Sequence, residues 1–140
     1  MTIPTELITY KPQHFRPWDL VHPSIWNFHG ESVLYLLDPR MLWTLDRLRE
    51  QFGEIIINNW HSGGFRMKSG LYQTETPTSH SLGRGFDLVF SEYFPETIRE
   101  NMKQFPRDEI FQYITRCGGK ERQWLHIDNM NTLEERIVFI

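Results

Sequence analysis

The segment from Leu36 to Asn58, LLDPRMLWTLDRLREQFGEIIIN, constrains the fold more than any other part of this chain. Asp38 followed by Pro39 is a helix start: a short carboxylate accepts orphan backbone N–H groups, and proline at the first helical position loses no hydrogen bond. Leu42, Leu45, Leu48 and Phe52 then recur at helical spacing and form one apolar stripe. Gly53 ends the helix. A short β-branched run, EIIIN, follows at once and reads as a buried strand. A helix with one apolar face that runs straight into a buried strand requires a sheet for both to pack on.

The remaining elements complete that sheet. RGFDLVF alternates, with Phe86, Leu88 and Phe90 on one side and Asp87 and Val89 on the other. FPETIRENMKQF reads as a helix opened by Pro95, with Ile98, Met102 and Phe105 inward. EIFQYITRC and QWLHID read as two strands around a turn at Gly118-Gly119, and RIVFI as a closing strand or docked tail. Residues 1–30 carry Pro4, Pro12, Pro17 and Pro23 and read as an irregular wrap with short turns. The order has no regular βαβ alternation. It favours an α+β fold with a mainly antiparallel sheet flanked by helices, built as a single domain over residues 1–140. A chain of 140 residues is long enough to bury a core without staples.

Charge and composition narrow the functional classes. A net charge of -3 gives no electrostatic footprint for nucleic acid. No apolar stretch reaches membrane-spanning length, so no membrane insertion is expected. The first residues lack a basic stretch leading into an apolar run, so no signal peptide is expected and the protein is expected to be made and kept in a cytoplasm. One cysteine, Cys117, excludes an intrachain disulfide.

The chemistry concentrates in the long aperiodic stretch from Asn59 to Gly83 and in the two strands at Asp87 and His126. A loop of that length in a compact domain is functional or disordered. It ends in TSHSLGRGFD, which places His80 and Asp87 on either side of two glycines. In QWLHID a period of two puts Leu125 and Ile127 on one face and Trp124, His126 and Asp128 on the other. If the Asp87 strand pairs with this one, Asp87 and His126 stand side by side on the non-core face and His80 folds over them. Two imidazoles and one carboxylate with an open fourth position are how catalytic zinc is held. The blander alternatives are a hydrogen-bonded loop histidine and a turn-capping aspartate. The alternation around His126 weighs toward the metal.

These residues resemble a known superfamily. TSHSLGRGFD looks like the SxHxxGxAxD motif of the zinc D-Ala-D-Ala peptidases, whose fold is shared with the hedgehog signalling domain. WLHID resembles the strand that carries the last histidine ligand, and the loop wording INNWHSGG…SGLY looks most like phage-encoded members, including peptidoglycan endopeptidases used in lysis. The resemblance covers Phe15 to Asp128. It implies a hedgehog/DD-peptidase-like fold, a zinc cofactor held by His80, Asp87 and His126, and a peptidoglycan stem peptide cut at a D-amino-acid bond as substrate. The chain departs from the pattern at Thr78 for serine and Gly85 for alanine, both mild changes. It departs more sharply at Gln123, where peptide-cutting members carry the acidic general base, and at Tyr72, where many carry an arginine that grips the substrate carboxylate. Asp128, two residues after the last histidine, is then open to three roles: general base, a group that orients His126, or a strand-end turn residue. Arg66 stands as a substitute carboxylate clamp or an exposed loop arginine. Thr78, Tyr72, His61 and Trp124 complete the candidate substrate contacts. Loss of the acid at position 123 supports an alternative, a zinc-bound but non-catalytic module that binds a wall fragment or a protein partner.

Overall fold

The computed structural model describes residues 3–57, 64–65, 78–80, 82–130 and 137–140. Among these residues, three helices, α1 (Pro23–His29), α2 (Pro39–Phe52) and α3 (Pro95–Gln104), accompany five strands. The strands are β1 (Ile55–Ile57), β2 (Gly85–Phe90), β3 (Arg116–Lys120), β4 (Trp124–Asp128) and β5 (Val138–Phe139). They form one sheet in the order β1-β2-β4-β3-β5. The class is α+β and the sheet is mixed. The β1–β2, β2–β4 and β3–β4 pairs are antiparallel, whereas β5 lies parallel to β3.

The helix-to-strand segment folds as its sequence dictates. The Asp38 carboxylate accepts the Arg40 N–H at 2.9 Å, Pro39 opens α2, and Gly53 closes it. Met41, Leu42, Leu45, Leu48 and Phe52 are buried, and they pack with Phe86, Leu88, Phe90, Leu125 and Ile127 from one face of the sheet. Ile98 and Met102 of α3 join the same cluster, which reaches from Phe15 to Ile137. The core therefore lies on one face of β2 and β4, and the alternating residues of those strands face away from it.

Four expectations need correction. The turn between the last two long strands lies over residues 121–123, one hairpin end later than Gly118-Gly119, which belong to β3. Arg122 supplies the left-handed residue of that turn, with φ 61°. The strand expected over Glu109–Cys117 begins only at Arg116: Asp108 accepts the Ile110 N–H at 3.1 Å and winds Glu109–Phe111 into a 3-10 turn, a local side-chain cap overriding β-propensity. Phe105 does not point inward but is 51% exposed, because α3 ends at Gln104 and Phe105 falls outside the helical period. The first 30 residues are not all irregular. The His22 ring accepts the Ser24 N–H at 3.1 Å and Pro23 takes the first helical position, which together start α1.

The N-terminal segment is tied down at two places. Asp46, fully buried on α2, accepts the Tyr10 hydroxyl and the backbone N–H groups of Gln13 at 2.7 Å and His14 at 3.0 Å. Further on, Phe65 exchanges backbone bonds of 2.8 Å with Leu20 and His22. That bridge fixes Gly64, whose carbonyl accepts a bond from the ring of His80.

Candidate metal centre

Two of the three predicted ligands come from the sheet itself. Asp87 is directly opposite His126 in the β2–β4 register, on the face away from the core. Their side chains meet, with His126 Nδ1 2.7 Å from Asp87 Oδ1. His80 arrives from the turn that precedes β2, with its Nε2 3.5 Å from Asp87 Oδ2 and the two imidazole centroids 5.3 Å apart. One donor atom from each of the three lies within 4.8 Å of the others. Donors on a tetrahedral zinc stand about 3.3 Å apart, given metal–ligand bonds of about 2.0–2.1 Å. The two contacts to Asp87, 2.7 Å and 3.5 Å, lie near that spacing, so the three groups could hold a metal ion.

The turn that carries His80 is shaped by two glycines. Gly83 has φ +68°, and a Cβ there would overlap the backbone of Leu36 and Leu37. Its carbonyl accepts the Asp38 N–H at 2.8 Å, which joins the turn to the start of α2. Gly85 faces Ser79 so closely that a Cβ would overlap the serine side chain. Any side chain at position 85 would have to displace Ser79.

Each imidazole is oriented by its second nitrogen. His80 Nδ1–H donates to the Gly64 carbonyl at 3.2 Å, which leaves Nε2 facing Asp87. His126 Nε2–H donates to Asp128 Oδ2 at 2.8 Å, which leaves Nδ1 facing Asp87. Paired acceptors of this kind fix tautomer and ring orientation in metal sites. Burial opposes charge on Asp87, but hydrogen bonds from His126 and His80 outweigh it and bring the carboxyl down to about 2. Burial also opposes charge on His126, and there the bonds to Asp128 and Asp87 prevail and raise the ring to about 9. Without a cation the site is therefore an imidazolium between two carboxylates.

Asp128 has no exposed surface and its oxygens are fully engaged. Besides His126, they accept Arg116 Nε at 3.1 Å to each oxygen, Arg116 Nη2 at 2.8 Å and the Met130 N–H at 3.1 Å. Burial raises its carboxyl, and the bonds from His126, Arg116 and Met130 more than compensate and hold it below the usual carboxylate range.

The other candidates are less central. Gln123 is exposed in the turn just before β4, where its N–H donates to the Lys120 carbonyl at 3.0 Å. Trp124 is half-buried on the His126 face of β4, with the Lys120 ammonium 6.0 Å from its ring centroid. Thr78 starts the His80 turn, its carbonyl accepting the Leu82 N–H at 3.0 Å. His61, Arg66 and Tyr72 lie outside the described residues.

The chain matches no protein-family model, no curated protein and no solved structure.

Sequence reasoning missed Arg116 and the Gly64 carbonyl. Arg116 pairs with Asp128 across β3–β4. The signal was the core alternation of Cys117 and Ile127, and it becomes readable once the hairpin turn is placed at 121–123. A backbone carbonyl leaves no such signal.

Proposed function

We propose that this chain is a zinc-dependent peptidase-like protein acting on peptidoglycan stem peptides. The observation that supports the reading is the cross-strand pair Asp87–His126 closed by His80, with both imidazoles turned so that one nitrogen of each faces the carboxylate. The donor set suits zinc: two neutral nitrogens and one carboxylate, with no cysteine, correspond to a site that keeps one position for substrate or water. When bound, zinc supplies Lewis acidity toward a carbonyl and toward water.

The chain's own residues then divide by role. His80, Asp87 and His126 hold the ion. Asp128 orients His126 and is a poor proton acceptor, because its oxygens are buried and already filled by Arg116, His126 and Met130. Gln123 has the position of the usual acid but no proton affinity. Trp124 and Thr78 flank the ligands as candidate substrate contacts.

A second reading arises from that same shortage of a base: a zinc-bound module that binds a wall fragment without cutting it. The deciding experiment incubates zinc-loaded protein with purified peptidoglycan and reads released fragments by mass spectrometry. Cleavage that is lost in His126→Ala supports the peptidase. Retention on peptidoglycan without fragments, with slow release restored by Gln123→Glu, supports the second reading. A base at that position is worth about 10²–10⁴-fold in rate. Wild-type protein that binds no zinc refutes both.

A further inference from the structure

We infer that Arg116 is a positioning residue for the metal centre: by clamping Asp128, it sets which His126 nitrogen is offered to the ion. The inference rests on the proposed metal reading and extends it to a residue on a neighbouring strand. The geometry is a continuous relay along one face of the sheet. Arg116 on β3 lies opposite Asp128 on β4, and its guanidinium reaches both carboxylate oxygens at 2.8–3.1 Å. Asp128 in turn receives His126 Nε2–H at 2.8 Å. His126 then presents Nδ1 toward Asp87 and His80.

The choice of residues reflects the geometry. A planar guanidinium is a rigid fork that holds a carboxylate in one plane, which a lysine ammonium does not. Fixing that plane fixes the direction from which Asp128 receives the imidazole proton, and so the tilt of the ring. The rest of Asp128 is anchored by backbone. Its carbonyl accepts the Thr115 N–H at 2.9 Å, and its side chain accepts the Met130 N–H. The carboxylate plane is therefore the freedom left for Arg116 to remove. An unclamped Asp128 could swing and accept His126 at a different angle, and the Nδ1 lone pair would leave the point where Asp87 and His80 converge.

The test measures zinc affinity by competition with a chelator at fixed pH, for wild type, Arg116→Met, Arg116→Lys, Asp128→Asn and the Arg116→Met/Asp128→Asn double variant. The melting temperature of each chelator-treated protein is followed alongside. Removal of a group that orients a ligand typically costs about 10–100-fold in metal affinity. We expect a loss in that range for Arg116→Met, a smaller loss for Arg116→Lys, and little further loss when Arg116→Met is added to Asp128→Asn. Cobalt substituted for zinc should show an altered visible spectrum in Arg116→Met. Equal zinc affinity in Arg116→Met and wild type, with only a lowered melting temperature, would assign Arg116 a purely structural role and overturn the inference. Full additivity in the double variant would overturn the route through Asp128. Should Arg116→Met fail to fold, wild-type affinity in Arg116→Lys refutes the orienting fork and a reduced affinity supports it. Absence of zinc binding by wild type defeats the metal reading itself, an outcome distinct from all of these.

Discussion

Zinc binding by this chain should strengthen steeply between pH 7 and pH 9. His126, held between Asp87 and Asp128, keeps its proton up to about 9 when no cation is present. The proton on Nδ1 occupies the position that a metal requires, so the ion must expel it. At pH 7, two units below that value, about one molecule in a hundred carries a neutral His126. The apparent affinity at pH 7 should then be about 50-fold below its value at pH 9, rising about ninefold from pH 7 to pH 8 and about fivefold from pH 8 to pH 9. Asp87 adds nothing to this slope, because its carboxyl is already ionised above about 2. The assay is a competition titration with a calibrated chelator at pH 7, 8 and 9 and constant ionic strength. Calorimetry in two buffers of different ionisation enthalpy would count the released protons, with about one expected per zinc at pH 7. Flat affinity across the range, with no proton released, would refute the idea that the imidazolium competes with the metal. The same group sets a stability profile for chelator-treated protein. Its folded value of about 9 lies above the ordinary 6.5, so the stabilisation is complete below pH 6.5 and is lost as the pH rises through 9. The amount at stake is about 3 kcal/mol, from about 1.36 kcal/mol per unit. Excess zinc should cancel the trend, because the gain in zinc affinity with pH offsets the lost stabilisation and the loaded protein keeps its stability between pH 7 and pH 9.

Three further outcomes are expected. Gly85→Ala should cost about 1–3 kcal/mol in urea denaturation and weaken zinc binding, because the new methyl overlaps Ser79 beside His80; adding Ser79→Gly should recover most of both. Leu45→Ala removes a fully buried side chain between α2 and the sheet and should lower stability by about 2–5 kcal/mol while chelator competition shows an intact metal site. Chelation should lower the melting temperature without abolishing the cooperative transition, since zinc at about a thousandfold excess over its Kd adds about 4 kcal/mol by mass action; superimposable melts with and without chelator would count against a bound ion.

Much of this arrangement was legible in the residues because it depends on local rules and on one parity. The cap at Asp38, the stop at Gly53 and the apolar stripe between them are statements about a few neighbouring residues, and they give α2 directly. Alternation puts Asp87 and His126 on the same non-core face, once Phe86, Leu88, Leu125 and Ile127 must share a buried one, and the β2–β4 register then makes them direct neighbours. What escaped was set by competition or by distance. Asp108 won Glu109–Phe111 for a 3-10 turn through one side-chain bond, although the run is rich in strand formers. The glycine pair at 118–119 looked like a turn. In the fold Gly118 lies opposite His126, and a Cβ there would meet Ile140, so the pair serves packing within β3. Arg116 became visible only after that correction. The parallel seating of β5 beside β3 joins segments with no shared local pattern.

The three ligands differ in how they are held, and this bears on how an ion would come and go. Asp87 and His126 belong to neighbouring inner strands, so separating them means breaking the sheet, an event with a free energy close to that of global unfolding. His80 is held outside the sheet ladder, by the Gly64 carbonyl on its ring, the Asp38 N–H on Gly83, and the turn's own backbone bonds, Leu82 to Thr78, Gly83 to His80 and Arg84 to Ser79 among them. Such a segment opens at far lower cost than the core. Exchange of the metal should therefore be limited by the departure of one histidine, with the other two ligands waiting in place. Amide protons of the turn should exchange at the rate at which zinc is lost, while those of β2 and β4 remain protected.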